Sequence, residues 1–93
     1  MENIIIYTAR FCPYCIMAKR LFDKKGVSYS EINVDLKPEL RQQMIKKTRR
    51  RTVPQIFIGD RHIGGFDDLY EMEQKKELDP LLAGQQKPAD YTV

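Results

Sequence analysis

The chain contains two cysteines, Cys12 and Cys15, three positions apart in the stretch Tyr7 to Phe22, YTARFCPYCIMAKRLF. Thiols at that spacing can exchange a disulfide, ligate a metal or simply pack, and the surroundings decide between these. Upstream, Asn3 to Tyr7 holds three consecutive isoleucines, a β-branched run too short for a helix and suited to a buried strand. Downstream of Pro13 the period changes. Cys15, Ala18 and Phe22 share one helical face with Leu21 beside it, while Lys19, Arg20, Asp23 and Lys24 supply the solvated side. The pair therefore stands where a helix begins. Unpaired N–H groups and the helix dipole at that end stabilise a thiolate at Cys12, and Pro13 has no N–H to lose at an early helical position. Cys15, on the apolar stripe, is expected to be the more buried and less reactive thiol. Cys12 is thus the candidate nucleophile and Cys15 the candidate resolving thiol of a redox-active disulfide.

Other uses of the pair fit less well. Zinc normally takes four ligands in a closed site, and Cys12, Cys15 and the single His62 supply three, so no metal site is expected. A structural disulfide between such near neighbours closes too short a loop to restrict the unfolded chain much. Two inert buried cysteines stay open on the pair alone; the strand before it and the helix after it favour redox exchange.

The remaining elements form a short series. Gly26 stops the first helix, and Val27 to Val34 reads as a second strand whose imperfect alternation leaves its buried face undecided. Pro38 opens a helix with a narrow stripe of Leu40, Met44 and Ile45. Lys46, Lys47, Arg49, Arg50 and Arg51 then form one basic cluster. Gln55 to Ile58 and Arg61 to Ile63 flank Gly59-Asp60, a hairpin turn. Gly64-Gly65 ends the hairpin, and Phe66, Leu69 and Tyr70 begin a helical face with Asp67 and Asp68 in its first turn. Leu78, Leu81 and Leu82 suit a short terminal segment; Gly84 to Val93 reads as a polar, mobile tail. The order βαβαββα predicts a small helix-covered sheet with one parallel and one antiparallel pair.

Ninety-three residues suit one domain with a modest core. Sixteen basic against thirteen acidic residues leave a charge of +3, too little to imply nucleic acid without a matching motif. No apolar run approaches the roughly 20 residues that span a bilayer, and MENIIIYT has neither a basic leader nor a small-residue cleavage site. A cytoplasmic protein is expected, acting as a monomer without membrane or nucleic-acid partners. Secreted chains of this size usually carry several disulfides.

Three segments together carry a family resemblance: Tyr7-Thr8 before Cys12-Pro13-Tyr14-Cys15, then Thr52-Val53-Pro54-Gln55-Ile56-Phe57-Ile58, then Gly64-Gly65 followed by Asp67-Asp68-Leu69. In order and spacing the chain resembles a small bacterial dithiol glutaredoxin from Met1 to Leu82. The resemblance implies a thioredoxin-like α/β fold, a four-stranded mixed sheet flanked by three main helices, with the domain over residues 1–83 and the tail over 84–93. It implies a glutathione-disulfide oxidoreductase that reduces protein disulfides and glutathione mixed disulfides, with glutathione as reductant and no tightly bound cofactor. Two alternatives belong to other classes: a glutathione-ligated iron-sulfur carrier, against which Pro13 and Tyr14 argue, and a non-catalytic thioredoxin-like adaptor.

Glutathione has two carboxylates and one amine, so its groove should carry both signs of charge. The resemblance implies glutathione contacts at Arg10, Tyr14, Arg50, Arg51, Thr52, Val53, Pro54, Gly65, Phe66, Asp67 and Asp68. It also implies a cis Val53–Pro54 bond, where composition alone favours trans. Many relatives have Lys where this chain has Ala9, and Arg10 is the candidate substitute for that charge. Phe66 stands where some close relatives carry a further cysteine.

Overall fold

A computed structural model describes residues 3–84. The expected tail lies, from residue 85 onward, outside the described residues. The elements run β1 (Ile4–Thr8), α1 (Pro13–Lys24), β2 (Ser30–Asn33), α2 (Pro38–Thr48), β3 (Gln55–Ile58), β4 (Arg61–Gly64), α3 (Phe66–Gln74) and α4 (Leu78–Leu82). The strands form one sheet in the order β2-β1-β3-β4, with β1 parallel to β2 and antiparallel to β3, and β3 antiparallel to β4. This is the four-stranded mixed sheet of a thioredoxin-like fold.

Both faces of the sheet are covered, which is why β1 is a continuous apolar run rather than an alternating one. Period-2 geometry sends Ile4 and Ile6 to one face and Ile5 and Tyr7 to the other. On the first face, Ile4, Ile6, Ile56 and Ile58 pack against Ala18 and Phe22 of α1, Leu69 and Met72 of α3, and the three leucines of α4. On the second, Tyr7 and Val34 pack with Met44 of α2, flanked by Ile5, Ile32, Leu40, Ile45 and Phe57. Lys25, just past α1, ties the three helices of the first face together at their edge through Glu73 of α3 at 2.8 Å and Asp79 of α4 at 2.7 Å.

Two local expectations are revised, an open one is settled and a core position is added. The second strand is only Ser30–Asn33, because β1 offers partners to Ser30, Glu31, Ile32 and Asn33 alone. Its face is now settled: Val27 and Tyr29 pack on the α1 side, and Glu31 continues that side, accepting the Thr8 hydroxyl at 2.7 Å and meeting Lys19 at 3.1 Å. In α3 the buried residues are Leu69 and Met72, whereas Tyr70 is half exposed, since the helix turns its 69/72 stripe toward the sheet. Thr48, unnoticed as a core position, is buried at the end of α2 and spends its hydroxyl on the Met44 carbonyl at 2.8 Å.

Leu69 is fully buried among α1, β1 and α4 side chains, whereas Leu36 is 74% exposed. Denaturant unfolding should show Leu69→Ala destabilised by about 2–5 kcal/mol. Leu36→Ala should stay within about 0.5 kcal/mol of the parent.

Candidate active site

Cys12 is the N-cap of α1. Its backbone is extended (φ −117°, ψ 97°), its carbonyl accepts the Ile16 N–H at 3.2 Å, and its Sγ accepts the Cys15 N–H at 3.1 Å. A sulfur here does the work of a serine or aspartate oxygen, satisfying a first-turn donor that has no intrahelical partner. Cys12 and Cys15 are joined as a disulfide with Cα atoms 5.2 Å apart. Cys15 is buried against the sheet while Cys12 is partly exposed, the asymmetry that the helical face predicts.

The connection that brings Cys12 to this point is tied down from the β2 side. The Val34 N–H donates to the Thr8 carbonyl at 2.8 Å, and the Arg10 N–H donates to Asp35 Oδ2 at 2.8 Å. Asn33 Oδ1 accepts the Asp35 N–H at 2.8 Å, and Arg41 meets the other Asp35 oxygen at 3.1 Å. The Arg10 amide, with Arg41 beyond it, holds the Asp35 carboxyl below the usual carboxylate range. Phe11 takes a left-handed φ of 52° and stands 92% exposed, with the Arg10 guanidinium 5.4 Å from its ring centroid.

The segment before β3 faces the thiol pair. The Val53–Pro54 bond is cis, and Cys12 Sγ lies 3.8 Å from the Val53 carbonyl oxygen. Gln55, wholly buried, fastens this segment from behind: its Nε2 donates to the Thr52 carbonyl at 3.0 Å and to the Thr52 hydroxyl at 3.2 Å. That orientation leaves Gln55 Oε1 as the acceptor for His62 Nε2 at 2.8 Å, so His62 donates from Nε2. Burial, then the positive charge of Arg50, pushes the His62 pKa down. Gln55 was missed in the sequence as a site residue. Its only signal was a lone amide at the head of an apolar strand, where a polar group must find a partner.

At the other side, Gly64 has φ 116°, and a Cβ there would strike Asp68 Oδ2 and come within 3.1 Å of Arg50 Nη1. The requirement for glycine falls on Gly64, because Asp68 folds back beneath it: Asp68 Oδ2 accepts the Gly65 N–H at 2.9 Å and meets Arg50 Nη1 at 3.3 Å. Arg50 is aimed there by the end of α2. Arg49 closes the helix in a left-handed conformation (φ 61°), and the Thr48 hydroxyl accepts the Arg50 N–H at 3.0 Å.

These pieces surround a groove of about 250 Å3. Tyr14 stands on the α1 side, Arg50, Thr52, Val53, Pro54 and Gln55 on the β3 side, and Gly65, Phe66, Asp67 and Asp68 on the α3 side. Tyr14 stacks on Phe66 with ring centroids 6.3 Å apart. Arg10 and Arg51, also candidates from the sequence, are exposed side chains outside this lining. The groove therefore offers one guanidinium, two carboxylates, the free amides opening α3, and a carbonyl beside a thiol that can be either reduced or paired.

Comparison with known proteins gives the same picture. The glutaredoxin family profile matches residues 4–63. Glutaredoxin 3 of Escherichia coli K12 is 52% identical over 82 residues, spanning 88% of this chain and 99% of that protein. The solution structure of a glutaredoxin from Brucella melitensis superposes with a TM-score of 0.81 at 48% identity, covering 94% of each chain. The crystal structure of a buckwheat glutaredoxin–glutathione complex gives 0.83 at 32% identity, covering 90% of this chain and 79% of that one. With a family match across most of its length, and the paired thiols capping α1 beside a cis proline, the chain belongs to the glutaredoxin family.

Proposed function

We infer that this protein is a glutathione-dependent thiol-disulfide oxidoreductase working through the Cys12–Cys15 disulfide. The observation that carries the reading is the Cys12 sulfur itself: it caps α1 at 3.1 Å from the Cys15 N–H and lies 3.8 Å from the Val53 carbonyl. A thiolate there keeps a helix-end donor and stands beside the Val53 edge of the groove.

The reaction balances with no further cofactor. Cys12 thiolate attacks a substrate disulfide, forming a Cys12–substrate disulfide and releasing one substrate thiolate. Cys15 thiolate then attacks Cys12 Sγ, releasing the second substrate thiol and closing the internal disulfide. One glutathione thiolate reopens it by bonding to Cys12 and freeing Cys15. A second attacks the glutathione sulfur of that mixed disulfide, giving oxidised glutathione and regenerating Cys12 thiolate. Two electrons pass from two glutathiones to one substrate disulfide.

We assign glutathione to the groove as an extended peptide along Val53. Arg50 takes one carboxylate, the α3-opening amides at Phe66 and Asp67 take the γ-glutamyl carboxylate, and Asp67 takes the amine. Tyr14 and Phe66 lie against the peptide, with Thr52, Pro54, Gly65 and Asp68 shaping the walls. Arg10 and Arg51 contribute a positive field at its edge. A reaction that consumes reduced glutathione suits the cytoplasm, and the reading is of a monomer without nucleic-acid or membrane partners. Among the described residues no helix is long and apolar enough to cross a membrane.

Iodoacetamide labelling of the reduced protein across pH, read by peptide mapping, should modify Cys12 first and with a midpoint below the ordinary free-cysteine range. Equal labelling of both thiols at neutral pH would reject the roles and favour a passive adaptor. Cys15→Ser should lose turnover on protein disulfides yet keep deglutathionylation, which needs Cys12 alone, whereas Cys12→Ser should lose both. Parental activity of Cys15→Ser on protein disulfides would exclude the dithiol route. Arg50→Ala should weaken apparent affinity for a glutathione mixed disulfide by about 10-fold, a charge-assisted bond discounted for its exposure. Arg51→Ala and Arg10→Ala should each change it by less than about 3-fold, an effect that added salt removes. Three equal, salt-sensitive losses would show that no guanidinium grips the peptide.

A further inference from the structure

Phe66 lines two grooves. One is the groove beside Cys12; the other, of about 300 Å3, runs between α1 and α3 and is lined by Met17, Arg20, Leu21, Lys24, Phe66 and Tyr70. Its floor is apolar, with the Phe66 and Tyr70 rings stacked at 5.7 Å. Met17 and Tyr70 leave 43% and 48% of their surface in water, large apolar side chains that the core does not use. The charges among its lining residues are both positive: Arg20 and Lys24, one helical turn apart. A concave surface with an apolar floor and a charged border suits a contact with another chain.

We propose that the α1–α3 groove docks the part of a protein substrate that flanks its reactive cysteine, a segment carrying apolar side chains and carboxylates. The proposal rests on thiol-disulfide exchange at Cys12 and adds the substrate's chemistry. Two observations select this occupant. The first is continuity: Cys12 caps the same helix that builds one wall, and Tyr14, stacked on Phe66, spans the interval between the thiol and the groove. Met17 to Lys24 lie five to twelve positions beyond Cys12, about 7–18 Å along the helix axis. An extended chain covers that distance with roughly two to six residues. A tripeptide held along Val53 does not need this surface; a longer polypeptide disulfide passes over it. The second is charge: two cations among the lining residues, with no carboxylate, favour an acidic partner and disfavour a basic one.

The test compares symmetric disulfides of two ten-residue peptides, in which the cysteine is followed by alternating Leu and Glu or by alternating Leu and Lys. The mixed disulfide of glutathione and mercaptoethanol is the small control, and all turnover is coupled to glutathione reductase. Exposed charge contacts are each worth about 1.5- to 5-fold, so the parent should prefer the acidic peptide in kcat/KM by roughly 10-fold. The double variant Arg20→Glu/Lys24→Glu should invert that preference. Met17→Ser should lower turnover of both peptides by about 3- to 10-fold. Activity on the small mixed disulfide should be unchanged throughout, which also reports that the variants fold. Equal use of both peptides by the parent would overturn the proposal, as would variant losses shared with the small control. Self-association that the double charge reversal dissolves would overturn it in favour of a second copy of this chain. Inactivity of the parent on the small mixed disulfide would instead overturn the underlying reading of Cys12, and the proposal with it.

Discussion

The hydrogen bond from the Cys15 N–H to Cys12 Sγ is the constraint around which this molecule is arranged. It makes one atom both the helix cap and the reacting group. A cap must sit at the boundary between extended and helical backbone, so the reacting sulfur is fixed at the mouth of α1 rather than on a freely rotating surface side chain. The same boundary brings Cys15 round on the first turn, and the burial of α1 against β1 then decides which thiol faces water. Chemical asymmetry between two identical residues thus follows from packing.

Everything else in the site holds a second wall against that sulfur. The sheet order puts β1 and β3 side by side in antiparallel register, with Tyr7 opposite Gln55. The chain leaving β1 toward Cys12 and the chain entering β3 after Val53 therefore meet at one end of the sheet. Gln55 secures the second of these through Thr52 and His62, while Asp35 and Glu31 secure the first through the Arg10 amide and Thr8. Among the described residues no buried side-chain nitrogen or oxygen lacks a partner. The mouth is therefore a cleft between two tethered loops.

The third wall shows how an ion pair and a glycine depend on each other. Asp68 reaches back under Gly64 to the Gly65 amide, and the space it occupies is the space a Cβ at Gly64 would need. Arg50, directed there by the left-handed end of α2, completes the contact. On the far side of Phe66 the surface changes character, from mixed charge to an apolar floor edged by cations. One aromatic side chain, Phe66, separates the polar groove beside Cys12 from the apolar surface between α1 and α3.

Much of this was legible from residue order alone. The isoleucine run, the period change at Pro13, the Gly59-Asp60 turn and the paired aspartates at the start of α3 are local signals, and each marks its element because propensity, capping and periodicity act over a few residues. The thiol pair and its redox chemistry were legible for the same reason, since three-residue spacing at a helix start is itself a local geometry. What the sequence left open depends on neighbours distant in the chain. Which face of β2 is buried was settled by α1 and Thr8. Whether Tyr70 or Met72 packs inward was settled by the rotation of α3 on the sheet. The requirement for glycine at Gly64, the burial of Gln55 beside His62, and the grouping of Arg50 rather than Arg51 with Asp68 all depend on how α2, β3, β4 and α3 come together. The sequence by itself determined which elements form and where a reactive thiol can stand, because those depend on short-range backbone energetics. Tertiary structure alone decided that Gln55 joins the groove lining while Arg10 and Arg51 stay outside it, because that depends on how helices and strands rotate to bury their apolar faces.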